Sequence, residues 1–187
     1  MRVLSAGLLA LLVMFSHEQA TAADLESFQA EPGKALVVFT RVSGSAGLIR
    51  TSIFDVTEER KIIGILKPKR YATYQVEPGD RMFMIVGESA DFMRARLEAG
   101  KVYFANAQVR TGVWKARFSL IPWSAEDMQG KKFQKGIKRA KPQEDRDLEL
   151  WAQQNANSLQ KKQDRFFAKW QTKSEADKEE RTLKDGR

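Results

Sequence analysis

The stretch YATYQVEPGDRMFMIVGESADFMRARLEAGKVYFANAQV (71–109) decides the fold. It consists of apolar runs separated by EPGD (77–80), GESAD (87–91) and EAG (98–100). Met93, Ala95 and Leu97 alternate with Arg94 and Arg96, which is the period of a strand with one buried face. RMFMIV (81–86) is apolar on both faces, so it reads as a central strand or one covered by another element. Glu77-Pro78-Gly79-Asp80 suits a type II turn, with Pro fixing φ and Gly allowing φ > 0. Glu98-Ala99-Gly100-Lys101 makes a second tight turn. Connectors this short favour antiparallel hairpins over βαβ crossovers.

The same pattern extends both ways. Upstream lie ALVVFTRV (35–42), LIRTSIFDV (48–56) and KIIGIL (61–66), and downstream lies VWKARFSLI (113–121). In that last run Trp114, Ala116, Phe118 and Leu120 share one face, and Lys115, Arg117 and Ser119 the other. ALVVF, like MFMIV, is apolar on both faces. Eight short runs at roughly 10–12-residue spacing are the signature of a sandwich or barrel. The expected fold is mainly β: an antiparallel β-sandwich of seven or eight strands, immunoglobulin- or transthyretin-like, over residues 34–123, with a C-terminal α-helical extension.

After Trp123 the periodicity changes from two to that of a helix. Ser124 can cap a helix, with Asp127 at the capping-box position. Residues 124–143 read as a basic linker or short helix. Within it KKFQKGIKRAK (131–141) carries six positive charges and no negative one. If helical, Phe133, Ile137 and Ala140 form an apolar strip flanked by Lys131, Lys132, Lys135, Lys138, Arg139 and Lys141. That composition suits an anionic surface or polyanion, and a solvated connector gives the same pattern. Residues 144–187 are expected to form an amphipathic helix with a charged tail. Leu148, Trp151, Ala152, Asn155, Leu159, Phe166 and Trp170 follow helical spacing to about residue 173. This stripe is expected to pack on the sheet, or else to form a partner-binding face. Residues 174–187 are charged and expected to fray.

The N-terminus reads as an address. In MRVLSAGLLALLVMFSHEQATA (1–22), Arg2 precedes an apolar run over 3–15, and Ala20 and Ala22 fit cleavage before Ala23. Thr21 and Ala23 offer the alternative of cleavage before Asp24, and an uncleaved anchor is the other reading. The run is too short to span a bilayer as a helix, and no later stretch is apolar enough. A periplasmic or secreted chain without a membrane span is therefore expected, with 23–33 a short N-terminal segment before the sandwich. No Cys is present to carry a lipid.

Cleavage would also remove His17, the only histidine of the 187 residues. The mature chain would then lack both His and Cys, and with them imidazole acid–base catalysis, thiol nucleophiles and soft-metal sites. No cofactor or metal is expected. Ser158 and Lys161 show Ser–Lys spacing, but on a helical stretch where it is common by chance. Asp145 and Asp147 form only a fragment of a calcium loop and suit the dipole at a helix start. Glu58, Glu59, Glu77, Asp80, Glu88, Asp91 and Glu98 all fall in expected turns, with no motif pairing two of them for glycoside chemistry. Gly44 and Gly47 lack the Lys-Ser/Thr of a phosphate loop. The net charge of +8 divides evenly, +4 on 24–123 and +4 on 124–187, so only 131–141 concentrates it. Arg94, Arg96, Lys115 and Arg117 extend that patch if their strands are neighbours.

ALVVFTR (35–41), IGIL (63–66), YATYQVEPGD (71–80) and AGKVYF (99–104) resemble an uncharacterised family of bacterial exported β-sandwich domains of transthyretin/PEGA-like kind, common in lipoproteins. The resemblance implies the fold and no reaction. The expected function is that of a non-catalytic envelope binding or assembly protein. Its partner is an envelope protein or anionic envelope surface, and export argues against nucleic acid. A carboxylate-based envelope polysaccharide hydrolase and a secreted effector or interaction module are the alternatives.

Overall fold

The computed structural model describes residues 25–43, 49–110 and 117–187. Eight strands follow one another: β1 (Ala35–Arg41), β2 (Thr51–Asp55), β3 (Lys61–Leu66), β4 (Arg70–Val76), β5 (Gly79–Val86), β6 (Ala90–Leu97), β7 (Val102–Arg110) and β8 (Arg117–Pro122). Helices α1 (Ala125–Gln129) and α2 (Lys131–Arg139) come next, then a two-residue strand, β9 (Lys141–Pro142). The chain ends in α3 (Leu148–Gln154), α4 (Ala156–Gln171) and α5 (Glu175–Glu180). The strands form a five-stranded sheet, β8-β7-β1-β4-β9, and a four-stranded sheet, β3-β2-β5-β6.

Strand alternation builds the layers. Ala35, Val37 and Phe39 of β1 join Phe83 and Ile85 of β5 and Met93, Ala95 and Leu97 of β6 between the sheets. The intervening residues do not face water. Leu36 and Val38 of β1, with Val102 and Phe104 of β7, meet Phe133 and Ile137 of α2 on the outer face of the first sheet. Phe54, Met84, Val86 and Phe92 meet Leu159 and Trp170 of α4 on the outer face of the second. The result is a four-layer α/β/β/α arrangement, and it explains why ALVVF and MFMIV are apolar on both sides. Every residue of β1 is buried.

Gly79 and Gly100 take positive φ, at 118° and 78°. Ala99 and Gly100 form the expected turn, whereas in EPGD (77–80) Gly79 and Asp80 already belong to β5. β2 pairs with β3, β5 with β6 and β7 with β8, all antiparallel. The short connectors EPGD (77–80) and EAG (98–100), expected to close hairpins, instead pass from one sheet to the other, joining β4 to β5 and β6 to β7. Two pairings are parallel instead, β1 with β7 and β4 with β9. The β1–β7 pair joins segments far apart in sequence, so no connector could announce it. The alternation expected at Trp114, Lys115 and Ala116, and the phosphate-loop comparison at Gly44 and Gly47, lie outside the described residues, as does the leader over 1–22. Phe118 and Leu120 do face the core, while Ser119 is buried as well.

Three expectations about the C-terminal part are corrected. The helix expected from 144 begins at Leu148 and divides at Asn155. The Asn155 side-chain amide donates to the Trp151 carbonyl at 2.8 Å, competing locally with helix continuation. Its stripe docks on the second sheet. The tail does not fray: the Leu183 amide donates to the Arg94 carbonyl at 2.8 Å, and the Arg96 amide donates to the Leu183 carbonyl at 2.9 Å. Arg187 and Val102 exchange two further backbone bonds, at 3.0 and 3.1 Å. The segment after α5 therefore ties β6 of one sheet to β7 of the other. The force that holds it is the complete burial of Leu183 within the core.

Candidate functional site

Ser124 and Asp127 form the expected capping box, the Ser124 hydroxyl accepting from the Asp127 amide at 3.0 Å. The cap starts α1, and α2 follows from Gly130. Phe133 stands edge-on to Phe104 and Trp123, with centroids at 5.1 and 5.2 Å. Ile137 and Ala140 are equally buried. Burial of Phe133 and Ile137 stabilises this docking by roughly 2–3 kcal/mol each. Apolar residues of the basic run are thus engaged by the sheet, and neither Phe133 nor Ile137 is exposed to a surface. Lys131, Lys132, Lys135, Lys138, Arg139 and Lys141 are all exposed. Lys132 lies over the Trp123 ring at 5.6 Å. No acidic residue occurs on α2, so its outer face is a plate of cations.

Arg94 and Arg96 do not extend that plate. On β6 they pair with Glu175 and Glu179 of α5, each at 2.7 Å. Hydrogen bonds from Arg94 and Lys178 hold the Glu175 carboxyl down at about 2. Those from Arg96 and Lys184 do the same for Glu179. Lys115 lies outside the described residues. Arg117 lies instead in a second cationic region.

That region is a cleft of about 310 Å³ between the β7–β8 pair and α4. Arg110, Arg117, Arg165, Lys169 and Lys173 line it, beside Phe166 and Trp170. At its base Asp91 receives Arg181 at 2.8 Å and Lys173 at 3.3 Å, with Arg110 at 3.7 Å. Burial pushes the Asp91 carboxyl up, but the cations Arg181 and Lys173 beside it act the other way, and it is held below the ordinary carboxylate range. Sequence reading missed this cleft, because its residues come from four separate elements and share no local motif.

The turn acids are partly brought together. Glu58 and Glu59 line a cleft of about 460 Å³ with Asp55, Tyr74 and Glu149. Asp55 is occupied structurally: its carboxylate accepts from the Thr57 amide at 2.9 Å and the Tyr74 hydroxyl at 3.2 Å. Burial and the adjacent Asp55 charge push the Tyr74 hydroxyl up to about 12. Glu77, Asp80, Glu88, Asp91 and Glu98 do not line this cleft. Asp145 is not simply a solvated helix-start charge, since it accepts from the Ile65 amide at 2.9 Å and protects the edge of β3. Ser158 and Lys161 are both exposed on α4. Among the described residues no group of three or more His, Cys, Asp or Glu is placed to hold a metal ion. None of the described helices is long and apolar enough to cross a membrane.

Leu148, Trp151, Leu159, Phe166 and Trp170 all belong to the cluster on the second sheet. Phe167, absent from the expected stripe, completes it: its ring stacks on Trp170 at 5.6 Å and meets Phe92 edge-on at 5.1 Å. Compared with family models, curated proteins and solved structures, the chain finds no match.

Proposed function

We propose that this chain is a non-catalytic binding or assembly protein of the cell envelope, exported by residues 1–22, which meets an anionic envelope surface through the outer face of α2. The observation that carries the reading is the division of labour on α2. Its apolar side chains are buried against the first sheet while Lys131, Lys132, Lys135, Lys138 and Arg139 are exposed. A rigidly docked cationic helix contacts an anionic surface by charge, not by insertion. Each lysine near such a surface contributes about 1 kcal/mol, and salt screens it. The motifs over 35–104 support placing the sandwich with exported β-sandwich domains.

Co-sedimentation with phosphatidylglycerol vesicles, against phosphatidylcholine vesicles, tests the reading. Wild type should bind the anionic vesicles and leave them at high salt. Reversing Lys131, Lys132, Lys135 and Lys138 to Glu should weaken binding by more than about tenfold. Equal binding to both lipids, or an unaffected reversal variant, overturns it.

A further inference from the structure

We propose that the cleft between the β7–β8 pair and α4 is a binding site for a small polyanion, a compound bearing at least two phosphate or carboxylate groups. This site lies away from α2 and does not depend on the envelope reading.

The case rests on like charges that the fold brings together twice. Arg110 and Arg117 are paired Cα to Cα across β7 and β8. Like charges directly opposite on a sheet are destabilising. Arg165 and Lys169 lie one turn apart on α4, with Lys173 another four residues on. Like charges at that spacing also oppose helix formation. Both arrangements point into the same cleft. Asp91 is the one carboxylate among the described residues lining it, and it is already shared by Arg181 and Lys173, with Arg110 farther off at 3.7 Å. No carboxylate forms an ion pair with Arg117, Arg165 or Lys169 among the described residues. Instead Arg165 and Lys169 sit over the Phe166 ring, at 5.5 and 5.7 Å. That contact leaves the guanidinium edge of Arg165 and the ammonium of Lys169 able to donate. An arginine fork binds phosphate or carboxylate through two parallel hydrogen bonds, and three arginines border this cleft. A volume of about 310 Å³ is at the small end of ligand sites, which suits a compact ligand over a long polymer. A multiply charged oxyanion would neutralise both unfavourable arrangements at once.

The test is calorimetric titration and thermal melting of the full chain with fructose 1,6-bisphosphate and with citrate, against acetate and maltose. Binding is expected for one or both polyanions, with a raised melting temperature, and the responding probe separates phosphate from carboxylate preference. The double variant Arg165→Gln/Lys169→Gln, both at exposed helical positions, should lose at least tenfold in affinity. It should also melt no lower than wild type without ligand, because a repulsion has been removed. The α2 reversal variant should bind the polyanions as wild type does, which separates the two proposals. Failure of both polyanions to bind overturns the inference. So does polyanion binding that the double variant leaves intact, or binding confined to heparin-length polymers.

Discussion

Gly136 stands inside α2, where alanine would ordinarily strengthen the helix by about 1 kcal/mol. Here a Cβ would lie 2.6 Å from Val42 Cγ1 and 2.8 Å from its Cβ. Neither atom is the loose end of a flexible chain, so the helix or the end of β1 must shift. Gly136→Ala should therefore destabilise the protein, by about 1–3 kcal/mol. Urea unfolding checks the sign, and adding Val42→Ala should recover part of the loss. Asp91 makes a prediction about pH. Its folded carboxyl binds a proton less readily than in the unfolded chain, whose ordinary value is 3.8. Its contribution is therefore complete above that value and is lost as pH falls through the lower folded value. Asp91→Asn should cost about 2–3 kcal/mol at pH 7 by leaving Arg181 and Lys173 without their carboxylate. Melts across pH 2–7 should show the gap between variant and wild type closing at the acid end.

Among the elements, the segment after α5 shows how weakly propensity predicts order. One leucine in a charged run is a poor local signal, yet Leu183 is fully buried and bonded to β6 on both sides. Gly186 then passes so close to Tyr103 that a Cβ would lie 2.7 Å from its ring. Leu183→Ala should cost about 2–5 kcal/mol. Hydrogen exchange should speed up at the Arg96 and Val102 amides, whose acceptors belong to this segment. If only residues 184–187 loosen and the Arg96 amide stays protected, the segment is not held by its leucine. The strands, by contrast, were readable locally. KIIGIL (61–66) matches β3 residue for residue, and the capping box at Ser124 is formed by side chains three residues apart.

Across the whole molecule, legibility falls with distance along the chain. Double-sided apolar strands announced a covered sandwich, and the α2 cations announced themselves as a run. The division of the final helix at Asn155 was hidden, since neither Gly nor Pro marks it. Hidden too was the cleft that Arg110, Arg117, Arg165 and Lys169 share, for no window of sequence contains all four. The parallel partnership of β1 with β7 belongs to the same class, and it bears on time as well as shape. β1 is the centre of its sheet, and its neighbours are made roughly 35 and 65 residues later. Until β7 emerges, ALVVF remains an unpaired apolar strand edge, the kind of segment that aggregates when folding is slow. The first sheet can therefore close around β1 only once the middle third of the chain is available.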